Sequence, residues 1–261
     1  MKILNISAIL CVALLSGVGF ADAQTTPDFE HAIAVSPTTP DKMTFANQVV
    51  SFDRVDMAER MDRELISFVY GHTNTLLTIK RANRYFPEII SILKEEGVPV
   101  DFIYLAAIES FFDNRAVSYT KASGIWQIMP TTGKEYGLEI NSEVDERYDC
   151  EKATRAACKY FKRAYAKYGC WITVASSYNA GTGRISKELE RQYVNNSFDL
   201  YLNQETSRYL FRLLAMKRIL ENPKEYGFIL NAEQLYQPIS YTTKVVDSSI
   251  SDWAEWAGKE G

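Results

Sequence analysis

From residue 53 onward, apolar side chains recur every three or four positions, and that period predicts a succession of helices. Val55, Met57, Met61, Leu65, Ile66, Phe68 and Val69 supply an apolar side, while Glu59, Arg60, Asp62, Arg63 and Glu64 point outward. A second run covers residues 73–86. Pro87, tolerated in a first turn, opens a third run over residues 87–96, which Gly97 stops. Residues 101–112 then read as an amphipathic helix with Phe102, Leu105, Ile108 and Phe112 on one stripe. A short helical turn ends near Gly137, and a long helix over residues 151–168 carries the small-residue face Ala153, Ala156, Ala157 and Ala164 and stops at Gly169. Residues 171–178 read as a buried helix and 204–220 as an amphipathic one. Beyond Phe228 the pattern changes to short extended pieces.

Glu109 breaks the pattern, because it falls inside the apolar stripe of its own helix. Burial disfavours a carboxylate, so this acid should hold its proton to higher pH than an exposed glutamate, as a proton donor near neutrality must. The ordinary alternative is a glutamate at the edge of a core, bonded to a neighbour. The residues beyond the helix shift the balance: Ser118, then Gly124, Trp126 and Gln127 within one short loop. Gly124 permits close backbone approach, Trp126 offers an aromatic surface, and Gln127 carries both a donor and an acceptor. Folded over a partly buried acid, such a loop has the chemistry of a sugar-binding cleft. Asp113 also lies one turn beyond Glu109, but it would approach a sugar from the same side as Glu109. It is therefore expected to end the helix or bond backbone, not to act as a nucleophile.

These residues carry a resemblance. The run E-S-x-F at Glu109, the serine at 118, A-x-G-I-W-Q-I-M-P-T-T from Ala122 and S-Y-N-A-G from Ser177 resemble the SLT-type lytic transglycosylases, especially their membrane-bound D branch. The E-T-x-x-Y run at Glu205 and the Arg147-Tyr148-Asp149 run fit the same order, and the likeness extends over residues 41–221. Ser176-Ser177 stand where the family usually shows alanine before the tyrosine. The resemblance implies a mainly α, lysozyme-like fold of the SLT and goose-lysozyme kind, with a short extended C-terminal segment. It implies that Glu109 is the catalytic acid, that Ser118, Gln127, Tyr178 and Asn179 bind the glycan, and that Tyr209 orients Glu109. The implied reaction cleaves peptidoglycan strands between N-acetylmuramic acid and N-acetylglucosamine, closes a 1,6-anhydro ring and needs no metal or organic cofactor. A goose-type hydrolase with the same acid, or a wall-binding protein without catalysis, are the alternatives.

Residues 1–23 have the layout of an export signal: Lys2, an apolar run from Ala8 to Leu15, and small residues before position 23. The apolar run is short of the roughly 20 residues that span a bilayer. An exported protein of the periplasm or cell envelope is therefore expected. Residues 24–45, with their Thr-Pro and Ser-Pro dipeptides, read as a flexible leader, residues 46–228 as the catalytic domain, and residues 229–261 as an extension. The stretch from Val246 to Ala254 is similar to the opening of a LysM module, cut short. The formal charge of −4 contains no basic stripe suited to nucleic acid. Two histidines far apart argue against a histidine metal site, and His72 is expected to cap or pack against a neighbouring helix. With Cys11 in the signal, Cys150, Cys158 and Cys170 remain, so at most one internal disulfide is possible in an exported protein.

Overall fold

A computed structural model describes residues 35–241 and 244–260 of the chain. The proposed signal and most of the leader lie outside the described residues. Residues 36–261 form one compact unit. Its first element is a hairpin, β1 (Lys42–Phe45) paired antiparallel with β2 (Gln48–Ser51), Met43 facing Val50. Positive φ at Ala46 and Asn47 makes the tight turn. Composition places residues 42–45 in the leader. Alternation decides otherwise: Met43 and Phe45 point inward and are buried, while Lys42 and Thr44 face out.

Helix α1 (Val55–Tyr70) buries Met57, Met61, Leu65 and Phe68, the expected stripe. Helix α2 (His72–Glu95) is one continuous helix where the residue pattern suggests two, with Pro87 in its interior. Pro87 has no N–H to give Asn83, a loss that ordinarily breaks a helix. Burial of Ile79, Ala82, Ile89, Ile92 and Leu93 on one face holds the two halves in line. The C-terminal extension fastens the turn before the proline: Tyr236 N–H donates to Lys80 O (3.2 Å), and Asn83 donates to Tyr236 O (3.1 Å). His72 packs between the rings of Tyr70 and Phe228, 6.1 and 6.3 Å away.

Helix α3 (Ile103–Ser110) is not amphipathic. Every residue along it is buried except Glu109, because α2, the later helix Gln204–Glu221 and the following loop enclose it. The short α4 (Pro130–Glu135) follows that loop, then α5 (Cys150–Tyr168), with Asp149 capping its start by accepting from Lys152 N–H at 2.8 Å. Next come α6 (Trp171–Ala180), α7 (Thr182–Gln192) and α8 (Gln204–Glu221). Helix α7 carries few apolar residues, Ile185 and Leu189 one turn apart, and Ile185 is its single buried residue. Helix α8 packs along α1, α3 and α6 and buries Leu210, Phe211, Leu213, Leu214, Met216 and Ile219, which makes it the central post. Beyond it the described residues form only short 3₁₀ turns until α9 (Trp253–Glu260), where Trp253 is exposed and packs on Trp256. Cys150, Cys158 and Cys170 are all free thiols. Among the described residues, no helix is long and apolar enough to cross a membrane.

Candidate active site

Glu109 is the one opening in an otherwise enclosed helix, and the chain reverses direction immediately after it. Phe111 and Phe112 both adopt φ of +53°, a conformation that bulky residues avoid. Lys121 and Gln127 share this left-handed region, so four of the seven such non-glycine residues described lie in the one loop that follows Glu109. Strain of this kind persists only where surrounding contacts over-determine the backbone. Those contacts are visible. Ser110 Oγ donates to Ile125 O (2.8 Å), Gly124 N–H to Ala116 O (3.0 Å), and Ser123 and Ile128 exchange two backbone bonds. The buried Arg147 clamps the loop from outside by donating to Lys121 O (2.6 Å) and Ile128 O (3.0 Å), while Asp145 neutralises it at 2.6 Å.

Burial pushes the Glu109 pKa up to about 7, partly opposed by the Tyr209 hydroxyl and the Arg212 charge. Tyr209 donates to Glu109 Oε1 at 2.6 Å, from a position on α8 that buries its ring. Burial, together with the nearby charge of Glu109, raises the pKa of both Tyr178 and Tyr209, so both phenols stay protonated as donors. The Tyr178 hydroxyl donates to Trp126 O (2.7 Å) and ties α6 to the loop.

A cavity of about 290 Å³ is lined by Gln127, Met129, Tyr136, Tyr160, Tyr178 and Asn179 among others; Glu109 is not part of that lining and connects to it through Tyr178, whose pKa its charge raises. Three of the four expected glycan contacts therefore line one cavity. Gln127 has its Nε2 committed to Ala116 O (3.1 Å) and Gly124 O (2.9 Å), so its amide oxygen is the group left to face a ligand. Ser118 is not part of that lining. Its Oγ accepts from Ala122 N–H (3.0 Å) and pairs with Thr120 (3.0 Å), holding the tip of the loop. Trp126 offers no surface to a sugar. It is fully buried, its Nε1 donates to Thr154 Oγ1 (2.8 Å), and its ring packs on Phe161. Asp113 receives Arg115 N–H (3.0 Å) and pairs with Arg81 (3.1 Å), as a helix-end residue.

Arg147, Glu205 and Arg212 escape a reading of the residues alone. Arg147 belongs to a run whose order fits the resemblance but whose buried clamp depends on tertiary contacts. Glu205 and Arg212 lie one turn on either side of Tyr209, and their charges act on Glu109 in opposite senses, Glu205 raising its pKa and Arg212 lowering it. Among the described residues, no group of three histidine, cysteine or acidic side chains is arranged to hold a metal ion.

A mainly helical unit whose buried acid connects through Tyr178 to an aromatic, amide-lined cavity defines a class, and likeness to known proteins names it. Residues 88–200 match the family described as "Transglycosylase SLT domain", a stretch that contains Glu109, Gln127, Tyr178 and Asn179 but ends before Tyr209. The likeness to an SLT-type transglycosylase domain is thus carried by residues 88–200. The chain is 35% identical over 174 residues to "Membrane-bound lytic murein transglycosylase D" of Escherichia coli (strain K12), an alignment covering 65% of this chain and 38% of that protein. With "Membrane-bound lytic murein transglycosylase C" of Haemophilus ducreyi it shares 27% identity over 189 residues, 64% of this chain and 51% of that one. The chain thus spans between about two fifths and one half of these relatives. The 70 kDa soluble lytic transglycosylase of Escherichia coli superposes with a TM-score of 0.48 at 17% identity, over 69% of this chain and 33% of that chain.

Proposed function

We propose that this protein is an exported lytic transglycosylase of peptidoglycan, and that Glu109 acts first as acid and then as base. The observation that carries the proposal is a buried carboxyl group with a pKa near 7, gripped by Tyr209 and connected through Tyr178 to a cavity of about 290 Å³. Protonated Glu109 gives its proton to the glycosidic oxygen as the bond to the muramoyl C1 breaks. The substrate's own N-acetyl group shields the cationic carbon. Ionised Glu109 then takes the proton from the muramoyl O6 hydroxyl as O6 bonds to C1, so no water is consumed and the acid is restored. Tyr178, Asn179 and the Gln127 amide oxygen orient the glycan. Ser118 contributes by shaping the loop tip. In this reading the family resemblance supplies the reaction, and the site supplies a single acid suited to it.

Mass spectrometry of fragments released from purified peptidoglycan tests this directly. Transglycosylation yields muropeptides lighter by one water than hydrolysis products. Hydrated reducing ends would instead favour a goose-type hydrolase. Strand binding without any release would leave a non-catalytic wall-binding protein.

The Tyr209 bond yields a second prediction. Its hydroxyl stabilises the ionised form of Glu109, so Tyr209→Phe should raise the Glu109 pKa further. Activity that needs protonated acid declines above that pKa, so the alkaline limb of the rate profile should move to higher pH. The maximal rate should fall by about tenfold as the carboxyl loses its fixed orientation. A lower rate with an unmoved limb would refute the positioning role and leave ordinary packing.

A further inference from the structure

Helices α3 and α8 carry the two ends of the Tyr209–Glu109 bond, and they pack against each other. A second polar tie joins them. Lys217, buried on α8, donates from Nζ to Asp101 Oδ1 at 2.8 Å. Asp101 lies eight residues before Glu109, in the 3₁₀ turn (Val100–Phe102) that leads into α3. Lys217 lies eight residues after Tyr209. The two ties are therefore equally spaced on helices that run in opposite directions, about 12 Å apart along the axes. Further bonds converge on the same pair. Asp101 Oδ2 accepts from Ala46 N–H (2.6 Å), at the left-handed turn of the β1–β2 hairpin. Lys217 also donates to Glu221 Oε1 (2.6 Å), one turn along α8, and lies over the Tyr104 ring, 5.1 Å from its centre. Burial would lower the Lys217 pKa, but the bonds to Asp101 and Glu221 outweigh it and raise it, so the ammonium is retained.

We propose that Asp101 and Lys217 are positioning residues for Glu109: their bond fixes the register of α3 against α8, so that the Tyr209 hydroxyl meets the carboxyl. Stability alone does not call for such a pair. The attraction within a buried ion pair offsets its desolvation only narrowly, and well-packed apolar side chains of similar volume hold a core as firmly. Apolar contacts are not directional, so one helix can slide a little along another at small cost, whereas a charged hydrogen bond is satisfied in one place. Helix α3 needs such a stop, because Ile103, Leu105, Ala106, Ala107 and Ile108 are buried and apolar. Among the described residues, the other polar bond from α3 to α8 is Tyr104 Oη donating to Glu221 (3.2 Å), the same carboxylate that Lys217 holds. A slide of about 1 Å would carry the 2.6 Å Tyr209–Glu109 bond toward the limit of hydrogen-bond geometry. The inference rests on the reading of Glu109 as the acid and concerns how that acid is held.

Removing Lys217 alone would leave Asp101 a half-buried charge without its counter-ion, so the test combines Asp101→Asn with Lys217→Met. Both charges go, and an amide oxygen remains to accept from Ala46 N–H. This double variant should melt near the wild-type temperature. The alkaline limb of its fragment-release profile should nevertheless move up by about one pH unit, the scale of one hydrogen bond to a charged group. Its maximal rate should fall several-fold. Adding Tyr209→Phe should move the limb no further, because the bond it deletes is already lost. Tyr178 of α6 and Glu205 and Arg212 of α8, the other groups coupled to Glu109, stay unchanged throughout. An unmoved limb in the double variant, or a full further shift on adding Tyr209→Phe, would reduce the pair to ordinary packing and overturn the inference. A second arm needs no turnover: carbon-13 NMR of the glutamate carboxyls, with the Glu109 signal assigned by its loss in Glu109→Gln, reads the Glu109 pKa directly. A rise of about one unit in the double variant supports the positioning role even if no strand is cleaved, in which case the lytic reading alone has failed. An unchanged Glu109 pKa counts against the pair whatever the activity.

Discussion

Glu109→Gln is expected to stop release of glycan fragments almost completely, by about a thousandfold, the scale of losing a general acid. The amide keeps the shape of the side chain and can still accept from Tyr209, but it has no proton to give. The wild-type protein should show its own signature, with the rate falling about tenfold per pH unit once the pH passes well above the Glu109 pKa near 7. Stability supplies an internal control. Burial raises the Glu109 pKa from 4.5 to about 7, so the unfolded chain ionises first as pH rises. Ionisation of Glu109 therefore favours unfolding between those two values, and the cost is fully present above 7. Gln cannot ionise, so the variant should melt at or above the wild-type temperature at pH 8. Loss of activity with a lowered melting temperature would point to damage of the fold, and retained activity would remove Glu109 from the mechanism.

The largest stability effect is expected at Gly124. Its φ is +77°, and a Cβ built there would lie 2.0 Å from the carbonyl oxygen of Arg147, a backbone atom with no room to yield. Gly124→Ala must therefore push apart the loop and the segment that clamps it. Together, the left-handed backbone and the forced displacement should cost about 3–5 kcal/mol. A drop of about 10 °C in melting temperature would accompany it for a chain of this size. The clamp would suffer too, because Arg147 donates to Lys121 and Ile128 on either side of Gly124. Activity should fall even at temperatures where the variant is folded. Denaturant melts and fragment release measured on the same preparation check both. Wild-type stability in Gly124→Ala would show that the close approach to Arg147 is not maintained in solution.

Much of the architecture obeys local rules that a sequence displays. The stripe Met57, Met61, Leu65, Phe68 recurs at helical intervals and is the buried face of α1. Gly169 lies where α5 ends in a left-handed turn. Glu109 within an apolar stripe signals a burdened acid, because burial and charge oppose each other whatever the fold. The small, permissive residue at 124 signals a close approach without naming its partner.

Tertiary structure decided the rest, for reasons no window of residues contains. Pro87 lies inside one helix because burial on both sides of it outweighs a missing hydrogen bond. Lys42–Phe45 became a strand because the core accepts Met43 and Phe45, although the surrounding composition is that of a leader. Trp126, an aromatic surface by residue type, is consumed by Thr154 and Phe161, some thirty residues away in sequence. Arg212 reads as one more outward charge on an amphipathic helix until α8 is set against α1. There Arg208 takes Glu64, and Arg212 is left without an acid of its own. Periodicity sets which residues are inside. Which inside residues meet, and which charges are paired, depends on contacts between elements far apart along the chain.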